Sequence, residues 1–313
     1  MSGACSPRLI SRCESHVVRG VRYNVRRWGS PDAPPILFLH GTRDSSITFQ
    51  FVVDALKGNW SVVAPDWRGH GLSQWVPQSY WFHEFLGDLD VLVQTYFGEA
   101  SVPVVAHSLG GNIASIYAGL RPERVSHLVS LDAFGPLVTH VPVDVKATLQ
   151  RFLAIPRATR PHQSYGSVDD MASRLQRGNR RLTQEKARFL ADHSSVDDGN
   201  SGHRWNFDPS HEWSIPTLHS MEEWRQIWSG IRAPVLWIVS SDHRAGAPTS
   251  LLGEMDRRAT MIEQLTRVTI PETGHNLHHD EPAKVSHLIE DFIRGTLEVR
   301  LAIDMTRVAA FAR

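Results

Sequence analysis

The sequence predicts an α/β fold built on a mainly parallel sheet, and three observations carry that prediction. Short apolar runs rich in β-branched residues, such as Pro35-Ile-Leu-Phe-Leu39 and Val102-Pro-Val-Val105, carry no charge and read as strands buried on both faces. Amphipathic helical stretches separate these runs, as in right-handed βαβ units. The rhythm stops near residue 136 and resumes at Pro234, so one long segment interrupts an otherwise regular alternation.

Residues 16–29 alternate Val and Tyr with Arg around Gly20, the pattern of a hairpin with one polar face. The strand at 35–39 ends in His40-Gly41; after Thr42, Arg43 and Asp44, Ser45 or Ser46 can cap a helix whose apolar face includes Phe49, Val52, Val53 and Leu56. A strand at 60–65 runs into the glycine-rich turn Asp66-Trp-Arg-Gly-His-Gly71, and a helix over about 81–97 sets Phe82, Phe85, Leu86, Leu89 and Leu92 at helical spacing. The strand beginning at Val102 is followed by a helix over about 110–121, ending near Pro122, and by a strand at 125–132. From 136 to 230 the pattern is helical or irregular, with helices at 143–155, 167–178, 183–193 and 221–231, and reads as a helical lid over the carboxyl edge of the sheet. A strand at 234–239, a helix near 250–264, a strand at 266–270 and a helix over about 281–298 complete eight strands; the tail 299–313 is ambiguous. The expected organisation is a core over 1–135, a lid over 136–230 inserted after the sixth strand, and a second part of the core over 231–313.

Composition limits the function. With 33 Lys plus Arg against 33 Asp plus Glu, the chain has no net field to attract nucleic acid or an acidic membrane. The two cysteines, Cys5 and Cys13, lie ahead of the periodic structure, too few and too badly placed for a disulfide framework or a zinc site, which points to a reducing compartment. No apolar run approaches membrane-spanning length and the first twenty residues lack a signal-peptide hydrophobic region, so a cytoplasmic protein is expected. Oligomeric state is not readable from the sequence.

The segment Val102-Pro-Val-Val-Ala-His-Ser-Leu-Gly-Gly111 puts Ser108 on a strand-to-helix turn. A serine there is pushed into a strained backbone conformation and needs small neighbours two residues to either side, here Ala106 and Gly110. This is the G-x-S-x-G nucleophile elbow with alanine in the first slot, and one added methyl group leaves the turn feasible. A serine hydroxyl is a poor nucleophile at neutral pH and needs a base, which in turn needs an acid to fix its tautomer. His275, between the last strand and the last helix, supplies the base. Asp242 closes the strand after the insertion and is the favoured acid; Asp132, ending the strand after the elbow helix, is the alternative. The carboxylate that does not serve is expected to cap a turn or pair with a lid arginine.

These features together resemble an α/β-hydrolase-fold protein over residues 16 to about 298. The resemblance is carried by LFLHGT (37–42), APDWRGHGLS (64–73), AHSLGG (106–111), the strand-end Asp242 and GHNLHHDEP (274–282). The chain order Ser108, Asp242, His275 is that of α/β-hydrolases. The insertion, with GNRRLTQEKARFLADH, WNFDPSHEWSIP and MEEWRQIW, is similar to the lid of a bacterial subgroup related to the serine-hydrolase-like proteins. The resemblance implies an oxyanion hole formed by the backbone N–H groups of Thr42 and Leu109.

Other residues carry plainer readings. His40 and His107 are expected to be packed, hydrogen-bonded histidines bordering the substrate pocket. Trp205 and Trp213, with Phe207, Trp224 and Trp228, either line an acyl pocket or hold the lid on the sheet. His278 and His279 diverge at a helix start with no complementary cluster, so no metal is expected, and no cofactor. The Gly69-His70-Gly71 turn lacks P-loop spacing and reads as backbone geometry.

The expected function is a serine hydrolase that cleaves a carboxylic ester or similar acyl compound, its partner a small-molecule acyl substrate. A serine at the elbow argues against haloalkane or epoxide chemistry, which needs a carboxylate nucleophile. Lactone opening, carbon–carbon bond hydrolysis and cofactor-free oxygenation share the same core residues. A non-catalytic ligand binder on the same fold is the reading from a different class.

Overall fold

The computed structural model, which describes residues 6–76, 80–133, 135, 145–154, 163–212, 220–242, 249–297 and 306–307, holds a nine-stranded sheet. Along the chain the strands are β1 (Arg12–Val18), β2 (Val21–Trp28), β3 (Pro35–Leu39), β4 (Ser61–Pro65), β5 (Val102–His107), β6 (Val125–Leu131), a separate pair β7 (Ser195–Asp197) and β8 (His203–Trp205), then β9 (Val235–Ser240), β10 (Leu265–Ile270) and β11 (Thr306–Arg307). The main sheet is ordered β1-β2-β4-β3-β5-β6-β9-β10-β11. Strands β4, β3, β5, β6, β9 and β10 are parallel, and the β1–β2 hairpin and two-residue β11 pair antiparallel at the two edges. The eight strands read from the sequence are all present; β11 comes from the tail left ambiguous there.

The helices are α1 (Gln50–Ala55), α2 (Phe82–Phe97), α3 (Leu109–Leu120), α4 (Val145–Leu153), α5 (Val168–Gly178), α6 (Gln184–His193), α7 (Met221–Trp228), α8 (Thr249–Ala259), α9 (Leu277–Asp280) and α10 (Pro282–Arg294). Side chains alternate across a strand, and β3 shows the result. Ile36 and Phe38 pack with Val52 and Val53 of α1 and Val285 and Ile289 of α10, whereas Leu37 and Leu39 pack with Leu89 of α2 and Ile113 of α3. Both faces are therefore apolar, which is why these strands read as unbroken hydrophobic runs.

Within the insertion, Met171 and Ala172 of α5 and Ala187, Leu190 and Ala191 of α6 pack against Ile47 and Phe51 beside α1. These helices of the insertion thus rest on the turn after β3 and on α1. Helix α7 behaves differently: Trp224 and Trp228 join the main core, and Trp228 Nε1 donates to Ser115 Oγ of α3 at 3.0 Å. The expectation of an insertion without strands is corrected by the β7–β8 hairpin. Each of its strands has three residues, too short to display a period of two, and the Asp198 carboxylate closes the turn by accepting from the N–H groups of Asn200 and Gly202.

Among the described residues no helix is long and apolar enough to cross a membrane.

Candidate active site

The strand-to-helix turn after β5 holds Ser108 at φ 51°, a left-handed conformation that a residue with a Cβ adopts only under constraint. Its N–H donates to Leu131 O at the end of β6 at 3.1 Å. The small neighbours are explained by what surrounds them. A Cβ on Gly110 would lie 2.5 Å from Leu39 O, and one on Gly111 2.5 Å from the Ala133 side chain. Ala106, buried in β5, is accommodated.

His275 follows β10 and reaches the elbow. Its Nε2 lies 3.0 Å from Ser108 Oγ and its Nδ1 2.8 Å from Asp132 Oδ2. With Nδ1–H donating to the carboxylate, Nε2 presents its lone pair to the serine hydroxyl. The arrangement joins hydroxyl, imidazole and carboxylate in one chain, suited to drawing the proton off Ser108.

The acid in contact is Asp132, which corrects the preference for Asp242. Asp132 has a fully buried side chain and φ 50°, and its N–H donates to Ile238 O at 2.8 Å. Its Oδ1 accepts from Ser240 N at 2.9 Å, leaving Oδ2 aimed at the imidazole. Asp242 instead forms a two-pronged pair with Arg181 of the insertion, at 2.8 and 3.0 Å. The alternative acid is thus the one against His275, and the favoured one pairs with an arginine of the insertion.

Gly41 lies close enough to the elbow that an added Cβ would sit 3.0 Å from Ser108 Cβ. Thr42 lines the same cavity as Ser108, and Leu109 opens α3, where the first amides have no partner within the helix. His40 is fully buried: its Nδ1 donates to Gly41 O at 2.8 Å and its Nε2 accepts from Trp67 N at 2.9 Å. Burial pulls its pKa down to about 3. It therefore stays neutral and braces the loop carrying Thr42 instead of facing substrate. His107 does line the cavity; its Nε2 donates to His275 O at 2.9 Å, and burial lowers its pKa to about 3.

The turn after β4 supports that loop. Asp66 accepts from Ser46 N at 2.7 Å, Leu72 N at 2.9 Å and Asn24 Nδ2 at 2.8 Å. Gly71, at φ 55°, passes so close that a Cβ would lie 2.3 Å from Asp66 Oδ2. Gly71 thus packs against a buried carboxylate, whereas Gly69, at φ 73°, packs against the rings of Tyr80 and His211.

The cavity beside Ser108 measures about 400 Å³ and is bounded by Thr42, Arg43, Asp44, His107, His275 and, from the insertion, Arg174, Leu175, Leu182, Leu190, Trp205 and Phe207. Trp205 also packs on Tyr165, another residue of the insertion, with ring centroids 5.9 Å apart. Trp213 lies outside the described residues. A second cavity of about 670 Å³ adjoins the first at Gly178, Asn179, His275 and Asn276, and is bounded also by Arg177, Arg180, Arg181, Ser240, Asp242 and Gly274.

Sequence reasoning missed Asp44, a carboxyl whose pKa burial raises to about 7. His278 and His279 do not diverge, since both place Nε2 against Thr48 Oγ1, at 3.0 and 2.6 Å. Among the described residues, Asp44, His107 and His278 form the group able to hold a metal, each with a ligand atom within 4.8 Å of the others. Nδ1 of His107 and Nδ1 of His278 lack hydrogen-bond partners.

The family model for the alpha/beta hydrolase fold matches residues 34–282, from β3 into the start of α10. The chain belongs to that family. An α/β-hydrolase of this kind is similar in sequence to the serine hydrolase-like protein of Danio rerio, with 28% identity over 286 residues that cover 85% of this chain and 83% of the relative. Its fold is similar to the thioesterase domain from the curacin biosynthetic pathway, with a TM-score of 0.80 and 24% identity over 90% of this chain and 99% of that one. It is also similar to an esterase from Mycobacterium tuberculosis, with a TM-score of 0.66 and 22% identity over 91% and 92%. The family and the sequence relative agree with hydrolase activity, and the two solved structures share the fold.

Proposed function

We propose that this α/β-hydrolase cleaves a carboxylic ester or a related acyl compound through Ser108, His275 and Asp132. The observation that carries this reading is the unbroken chain from Ser108 Oγ to His275 Nε2 at 3.0 Å and from His275 Nδ1 to Asp132 Oδ2 at 2.8 Å, built on a strained serine. In this reading Ser108 Oγ bonds to the substrate carbonyl carbon while its proton passes to His275 Nε2. The carbonyl oxygen takes up the negative charge against the N–H groups of Thr42 and Leu109. Collapse breaks the bond to the departing group, which leaves with the proton from His275 and exposes a Ser108 ester. Water attacks that ester through the same base and frees the acid. Asp132 holds the tautomer and balances the imidazolium.

The half-apolar wall of the inner cavity, with Leu175, Leu182, Leu190, Trp205 and Phe207, supports an acyl chain of modest size. A fluorophosphonate probe tests the reading directly. Stoichiometric labelling of the wild type that disappears in Ser108→Ala is the expected result, together with turnover of short-chain p-nitrophenyl esters. Folded wild-type protein that takes up no label would instead support a non-catalytic binder.

A further inference from the structure

The two cavities meet at His275, and that placement separates the two halves of a substrate. The group that departs takes its proton from His275 Nε2, so it must lie on the imidazole side of Ser108. The inner cavity contains Ser108, Thr42 and the apolar Leu175, Leu182, Leu190, Trp205 and Phe207, which suit the acyl half, although Arg43, Asp44 and Arg174 also border it. The outer cavity lacks Ser108, begins at Gly274, His275 and Asn276, and runs out under the loop after α5. It is the space open to the departing half.

That outer space is lined by guanidinium groups. Arg181 is committed to Asp242, and Asp280 is held by Asn179 Nδ2 at 2.6 Å and by Gly274 N at 2.9 Å. Arg177 and Arg180 border the same cavity, are exposed, and pair with no carboxylate among the described residues. On the wall of this cavity three arginines stand against one carboxylate, Asp242, with Asp280 and Glu272 behind Arg181, so Arg177 and Arg180 leave the lining itself with an excess of positive charge. A guanidinium fork matches the oxygens of phosphate or carboxylate.

We propose that the preferred substrates carry an anion on the departing half, a phosphate or a carboxylate on the alcohol or thiol, seated on Arg177 and Arg180. This rests on the serine-hydrolase reading above. Hydrolysis forms the Ser108 ester and releases the anionic alcohol or thiol with the proton from His275; water then returns Ser108 and frees the acyl acid.

The experiment compares four substrates with one hexanoyl group: the coenzyme A thioester, the neutral N-acetylcysteamine thioester, the ester of lactate, which carries a carboxylate, and the neutral ethyl hexanoate. The expected result is a kcat/KM at least roughly three- to tenfold higher for one or both anionic substrates than for a neutral analogue of the same bond type, ethyl hexanoate serving for the lactate ester. The ratio should shrink as salt is raised and collapse in Arg177→Gln/Arg180→Gln, chiefly through KM. A preference confined to coenzyme A assigns phosphate, and one confined to the lactate ester assigns carboxylate. Equal turnover of anionic and neutral substrates, or a preference untouched by the double variant, overturns the inference while Ser108-dependent turnover leaves the hydrolase reading standing. No turnover of any substrate together with no fluorophosphonate labelling overturns both.

Discussion

Nδ1 of His275 lies 2.8 Å from Oδ2 of Asp132, whose other oxygen accepts from Ser240 N, while Asp242 one strand away faces Arg181. The two aspartates therefore differ in what their removal should cost. Asp132→Asn replaces the acceptor at His275 and favours the wrong tautomer, so kcat on a p-nitrophenyl ester should fall about 10³- to 10⁴-fold with the fold retained. Asp242→Asn breaks a half-exposed ion pair worth at most about 1 kcal/mol and should change kcat less than tenfold. Steady-state assays of both variants decide the point; a larger loss at position 242 would reverse the assignment.

Backbone crowding at the elbow gives a second contrast. Gly110→Ala would set a methyl 2.5 Å from Leu39 O and 2.7 Å from His40 O, forcing the elbow away from the loop that carries Thr42. Such overpacking costs about 1–3 kcal/mol and should lower kcat through misplacement of the proposed oxyanion donors Thr42 and Leu109. Ala106→Gly removes only a methyl from β5 and should cost about 1 kcal/mol or less with activity kept. Urea titration alongside ester turnover separates them, and equal behaviour of the two variants would contradict this account of the turn.

Asp66 makes a third case, in which the loss is structural. Its carboxylate satisfies Ser46 N, Leu72 N and Asn24 Nδ2 in a buried site, so Asp66→Ala leaves three donors without partners. Stability should drop by roughly 2–4 kcal/mol, read as a lower urea midpoint at unchanged slope. A drop below about 1 kcal/mol would show that these donors find other acceptors.

What the sequence made legible, and what it did not, follows from the range of the interactions involved. The parallel strands were readable because burial on both faces leaves uninterrupted apolar runs, and Ser108 because the steric demand of the elbow acts within two residues. His275 was readable from its place between the last strand and last helix. The choice between Asp132 and Asp242 was not, since β6 and β9 are neighbours and both strands run into an aspartate at the same edge. The contacts that set the two apart are Ser240 N on Asp132 and Arg181 on Asp242, the latter 61 residues away in the chain. Asp44 escaped notice for the same reason: its environment is assembled from Thr48 and from the opposite end of the chain, where His275 lies.

Buried neutral histidines supply the last prediction. Burial lowers the pKa of His40, His107 and His279 to about 3 and that of His211 to about 2, and holds His70 and His278 well below the ordinary value. In the unfolded chain each of these titrates near 6.5, so below that pH the unfolded state binds protons that the native state refuses. Their contribution to stability is complete above pH 6.5 and is lost as the pH falls from there toward 3. Asp44 acts in the opposite sense, because its native pKa of about 7 lets the folded state hold a proton that the unfolded carboxylate releases above about 4. Six imidazoles outweigh one carboxyl, each contributing a slope of up to about 1.4 kcal/mol per pH unit. Urea unfolding at pH 7.5 and pH 5.5 should therefore show a loss of at least about 3 kcal/mol at the lower pH. His40→Asn should reduce that loss, and equal or greater stability at pH 5.5 in the wild type would mean that these rings are protonated inside the fold.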